Sequence, residues 1–174
     1  MKRTIAALAL LIAPLMASAS VVYTATGGDY TFVTPPYTTS MQITFQFATP
    51  TALAPNLLYG TYTGTVSSWS MNDGLYTLTN STPGATLSLM LGTDATGAIN
   101  NWRVEAYTSN FSNDMMILGP VDGPMSSASN GNASALNGTL ATWNSSSSSV
   151  PEPDAAFLFL GGLTALGFGL RRKI

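Results

Sequence analysis

Residues 20–144 carry almost no charge. Asp29, Asp73, Asp94, Arg103, Glu105, Asp114 and Asp122 are the charged side chains of this stretch, which has no Lys, His or Cys. A surface helix needs a polar face opposite its apolar stripe, usually built from Glu, Lys and Arg. With those residues nearly missing, amphipathic helices are hard to assemble. What remains is rich in Thr, Tyr, Val and Phe, which suit a pleated surface, and its apolar residues alternate with polar ones. The predicted fold is all-β: an antiparallel β-sandwich or a barrel-like relative.

The pattern places a first strand at 21–26, ended by Gly27-Gly28, and a second at 41–47 with Met41, Ile43, Phe45 and Phe47 on one face. Further strands are expected at 60–68, 75–79, 86–91, 98–107 and 115–118, and 136–143 is a candidate to close the sheet. Asn72-Asp73-Gly74 reads as a tight hairpin whose glycine takes positive φ. Thr93-Asp94-Ala95-Thr96-Gly97 reads as a type I turn closed by a left-handed glycine, with Asp94 bonding backbone amides. Residues 126–144 are rich in Ser, Asn, Ala and Gly, and Leu136, Leu140 and Trp143 leave them open between last strand and linker. The serines of 145–149 read as a flexible spacer.

The two ends differ from this middle. Met1-Lys2-Arg3 is a basic start, 5–16 an apolar run, and Ala17-Ser18-Ala19 a small-residue cleavage site. Residues 1–19 therefore read as a secretory signal peptide, with processing between Ala19 and Ser20. The Lys-Arg pair lacks the second arginine of a twin-arginine route. At the other end come Val150, Pro151, Glu152 and Pro153, an uncharged apolar run at 155–170, then Arg171, Arg172 and Lys173. Sixteen residues at about 1.5 Å each reach roughly 24 Å, a marginal span of the ~30 Å bilayer core. A buried globular helix would show a polar face, which this run lacks. The cations would hold its end cytoplasmic, as a membrane stop.

This tail closely resembles the PEP-CTERM sorting signal of Gram-negative bacteria that make exopolysaccharide. The resemblance implies a transient inner-membrane anchor, processing by an exosortase-type enzyme near Val150-Pro151-Glu152-Pro153, and delivery to the cell surface or extracellular matrix. Together with the readings above, the chain divides into a signal peptide (1–19), an exodomain (20–144), a linker (145–149) and a sorting segment (150–174) with one transmembrane helix. A second likeness covers most of the exodomain. Tyr23-Thr24-Ala25-Thr26-Gly27-Gly28, Pro35-Pro36-Tyr37-Thr38-Thr39, Asn72-Asp73-Gly74 and the stretch from Thr93 to Trp102 look like a recurrent PEP-CTERM exodomain family. The opening departs from that pattern, because Ala25 and Thr26 intervene before Gly27.

Chemistry is bounded by absence. Without His, Cys or an exodomain Lys, the exodomain has no His base, thiol nucleophile, His/Cys metal site or Schiff-base lysine. Six acids against the single base Arg103 leave the exodomain at −5, which disfavours nucleic acid. Asp94 with Gly97, or Asp114 with Asp122 and Gly123, could mark a calcium loop, but neither has a usual ligand set, so a turn role is expected for Asp94 and a solvated loop for the second group. Arg103 and Glu105 should form an exposed ion pair on one strand face. Trp69, Trp102 and Trp143 could form a sugar-stacking platform, though sandwich cores consume most such rings. Asn80, Asn110, Asn132, Asn137 and Asn144 head Asn-x-Ser/Thr triplets that chance supplies in so polar a chain. The expectation is a non-enzymatic surface or exopolysaccharide-matrix protein without cofactor or metal. An extracellular carbohydrate-binding module, with polysaccharide as partner, is the alternative. Glycoside hydrolysis by two carboxylates comes third.

Overall fold

The structure is a computed structural model, and it describes residues 20–110 and 112–147. The described residues form twelve strands and no helix, and the transmembrane helix expected at 155–170 lies outside them. In chain order the strands are β1 (Val21–Thr26), β2 (Phe32–Val33), β3 (Thr44–Thr49), β4 (Gly60–Thr61), β5 (Ser68–Asn72) and β6 (Thr77–Thr79). They continue with β7 (Ala85–Thr93), β8 (Ile99–Thr108), β9 (Asn113–Leu118), β10 (Met125–Asn130), β11 (Ala133–Asn137) and β12 (Thr142–Ser147).

Two antiparallel sheets result, one of five strands in the order β12-β1-β3-β5-β6 and one of seven in the order β2-β11-β10-β9-β8-β7-β4. Strands β7 to β11 form a meander, while the chain changes sheet before β2, β3, β4, β5, β7 and β12. The first change runs through backbone bonds. Gly27 and Tyr30 donate to the carbonyls of Ile43 and Met41, and then Thr31 and Thr34 donate to those of Leu136 and Ser134.

Alternation makes the core. Tyr23 and Ala25 of β1, Phe45 and Phe47 of β3 and Met71 of β5 point inward from the smaller sheet. They meet Leu89 and Leu91 of β7, Trp102 and Val104 of β8, and Met115 and Ile117 of β9 in one cluster. Fully burying each large side chain contributes roughly 1.5–3 kcal/mol. The pairing Tyr23↔Phe47 stacks two rings at 5.0 Å, so cross-strand register and core packing reinforce each other.

Four expectations need correction. The strand predicted over 60–68 is a two-residue β4, and the second strand starts at Thr44 rather than Met41. Residues 136–143 do not form one strand: β11 ends at Asn137 in one sheet and β12 begins at Thr142 in the other. The linker expected at 145–149 is strand as far as Ser147, because Trp143 anchors β12 in the interior and the backbone ladder with β1 is indifferent to serine side chains. The Ser/Ala-rich stretch supplies β10, whose Ser126 and Ala128 point inward where small residues fit, and which the hydrophobic pattern does not reveal.

Candidate functional site

The residues predicted to direct sorting frame the domain rather than sit in it. Ala17 and Ala19 lie outside the described residues, as do Val150, Pro151, Glu152 and Pro153 and the stop Arg171, Arg172 and Lys173. Ser20 is the first described residue. The strands that lead to both ends are placed: Val21 pairs with Ser147, Val22 with Ser146 and Tyr23 with Ser145. The chain thus enters and leaves the sandwich at one pole. From Ser147 to Val150 is three residues, at most about 10 Å of extended chain, and to residue 155 at most about 28 Å. Strand β12 itself is mostly exposed. Its hold is Trp143, whose ring lies 5.8 Å from that of Trp102 and 6.1 and 6.2 Å from those of Phe47 and Phe45.

The tryptophans therefore do not make an outward platform. Trp102 is buried, Trp143 is packed between the sheets, and Trp69 is a half-buried residue against the same cluster. The turn residues behave as local chemistry dictates. Asp94 Oδ1 accepts from the backbone amides of Thr96 and Ala98 and from the Thr96 hydroxyl, at 2.8, 3.0 and 2.7 Å. Those donors, the Thr96 hydroxyl first, hold the Asp94 carboxyl below its ordinary value. Gly97 closes the turn at φ +85°, and Gly74 closes the other hairpin at +96°.

The second calcium reading is not assembled. Strand β9 holds Asp114 near one end and leaves Asp122 beyond the other, where Asp122 accepts from the Tyr59 hydroxyl. Burial, then that bond, pushes Tyr59 up to about 12. Among the described residues no group of three His, Cys, Asp or Glu could hold a metal ion. Arg103 and Glu105 do pair, with Nη2 3.8 Å from Oε2, on the outer face of β8. Asn137 is withdrawn from modification chemistry: it is buried, its side-chain amide donates to the Asp29 carbonyl, and its oxygen accepts from Thr139.

One polar constellation escaped the sequence reading. Asp73 is fully buried. Its Oδ1 accepts from the amides of Leu75 and Tyr76 at 2.8 and 2.7 Å, and its Oδ2 from the Tyr37 hydroxyl at 2.6 Å. The Tyr30 hydroxyl donates to the Asp73 carbonyl at 3.2 Å. Burial first, and Asp73 second, push both tyrosines well above their ordinary range. Four donors and no solvent make this a structural node, since a substrate could not reach the carboxylate. It joins the Pro-Pro-Tyr and Asn-Asp-Gly motifs to each other, and the conjunction of those motifs was its only sequence signal.

Comparison with known proteins agrees with the tail. The PEP-CTERM protein-sorting motif matches residues 149–173, so the chain carries a sorting signal of the kind that targets exported proteins to an exosortase. The matched segment begins two residues after β12 ends. Neither a curated protein nor a solved structure matches the chain.

Proposed function

We propose that this is a non-catalytic protein of the bacterial surface or polysaccharide matrix. It is exported on the signal peptide of residues 1–19 and held transiently in the inner membrane of a Gram-negative cell by residues 155–170. An exosortase then processes it near Val150-Pro151-Glu152-Pro153, and the sandwich is the cargo. The observation that carries this reading is the sorting motif over residues 149–173, directly after the last strand of a domain with its own core. The shared pole fits it too, since β1 and β12 lead both apolar segments away from the same end of the sandwich.

The chemistry available supports a non-catalytic role. The exodomain has no His, Cys or Lys, and its most elaborately bonded carboxylate, Asp73, is sealed. The test separates insertion from processing. Replacing Pro151, Glu152 and Pro153 with alanine leaves the apolar run and its cations intact, so membrane insertion persists. In an exosortase-bearing host the variant accumulates uncleaved in the inner membrane. Cleavage and release at the wild-type rate would remove the basis for this reading.

A further inference from the structure

We propose that the outer face of the seven-stranded sheet carries a binding groove for a neutral polysaccharide chain, an inference that rests on the surface or matrix role proposed above. The register fixes what shares that face. One row crosses β8 to β2 as Glu105, Met116, Ser127, Leu136 and Phe32, and the next as Tyr107, Asp114, Ser129 and Ser134. Four strand spacings of about 4.8 Å make the first row roughly 19 Å long, enough for more than one sugar ring. A groove of about 500 Å³ lies over β2, β11 and β10 and reaches Asp114, within the roughly 300–1,000 Å³ of small-molecule sites.

Its lining has two characters. Phe32 and Leu136 are apolar and exposed, at 71 % and 36 %. Beside them stand the hydroxyls of Ser127, Ser129 and Ser134 and the carboxylate of Asp114. Asp114 is half-buried where it lines the groove; its Oδ1 is turned away from solvent and has no hydrogen-bond partner among the described residues. Burial, and then the charge of Glu105, push the Asp114 carboxyl above its ordinary value, in keeping with that lack.

A pyranose has the matching chemistry. Its C–H face lies on Phe32 and Leu136, while its equatorial hydroxyls donate to Asp114 and exchange hydrogen bonds with the serines. Arg103 pairs with Glu105 on this face, so Asp114 leaves it net negative, which disfavours an anionic sugar acid and favours a neutral ligand. A bare cation would lack carboxylates, for the reason given by the absence of any three-acid group among the described residues. A peptide adding as a strand would need a longer free edge than the two residues of β2.

The test uses the full chain in phosphocholine micelles, titrated calorimetrically with cellotetraose, maltotetraose, mannotetraose and tetragalacturonate. At least one neutral tetrasaccharide should bind and tetragalacturonate should not. Phe32→Ala and Asp114→Ala should each weaken binding tenfold or more, and the exposure of Phe32 ensures that the first of them folds. Binding by none of the neutral sugars, binding of tetragalacturonate, or indifference to both substitutions overturns the proposal. Shortening of a bound tetrasaccharide would also overturn it, since the groove would then be catalytic. Both variants should still be processed and released normally, so failure of the groove leaves the sorting role standing and failure of sorting leaves the groove testable.

Discussion

The Tyr37 hydroxyl donates to Asp73 Oδ2 at 2.6 Å inside the protein, tying the loop after β2 to the β5–β6 hairpin. Removing the acceptor strands three donors at once: Tyr37 and the amides of Leu75 and Tyr76. Asp73→Ala should therefore cost about 3–4 kcal/mol, and Tyr37→Phe about 1–2 kcal/mol because it leaves the amides paired. Urea unfolding of both variants and their double mutant checks this, and the double should cost less than the sum.

Alkaline pH reads the same node. In the unfolded chain tyrosines ionise near pH 10, whereas Tyr30 and Tyr37 resist ionisation in the fold. The unfolded state then binds fewer protons, so stability is full below pH 10 and falls as pH rises above it. The slope approaches at most about 1.4 kcal/mol per pH unit for each tyrosine. Melting temperatures between pH 9 and 12 should decline from about pH 10, and Tyr37→Phe should flatten the decline.

Gly97 tests the turn against the metal reading. A Cβ there would sit 3.0 Å from the Leu53 carbonyl on a backbone at φ +85°. Gly97→Val should destabilise by roughly 1–2 kcal/mol. Calcium should leave the wild-type melting temperature unchanged, since the turn donors occupy Asp94 Oδ1; a calcium-dependent rise would restore the metal site. Acid should weaken the turn, because a depressed carboxyl contributes stability that is lost as pH falls through its folded value.

Trp143 is the anchor of β12. Truncating a fully buried tryptophan costs about 3–5 kcal/mol, and its partial exposure lowers the expectation for Trp143→Ala to about 2–3 kcal/mol. Limited proteolysis should then cut within 144–147 in the variant and not in the wild type, because exposed serines give the strand little else to hold it.

The sequence exposed those features whose physics is local. Alternation announced β1, β7 and β8, and positive-φ glycines announced both hairpins, since each needs only neighbours in the chain. Strands whose inward residues are Ser126, Ala128, Ala133 and Ala135 were hidden, because small side chains bury little area yet fit where facing rings are large. The serines of β12 looked like spacer for a similar reason: their pairing comes from the backbone and from one tryptophan at the strand's start. Asp73 was legible as a turn residue and illegible as a buried one, because its tyrosine partners come from 36 and 43 residues away. The groove with Phe32 and Asp114 depends on the register of five strands, which no local pattern encodes.

The central claim is that the sandwich is delivered as cargo and parted from its tail, and the mass of the delivered protein tests it most directly. Protein released by an exosortase-bearing host should be purified and its intact mass and both termini determined by mass spectrometry. The account predicts a chain that begins at Ser20 and ends near Val150-Pro151-Glu152-Pro153, having lost residues 155–174. A released protein that keeps residues 155–174, or that still begins at Met1, would contradict it.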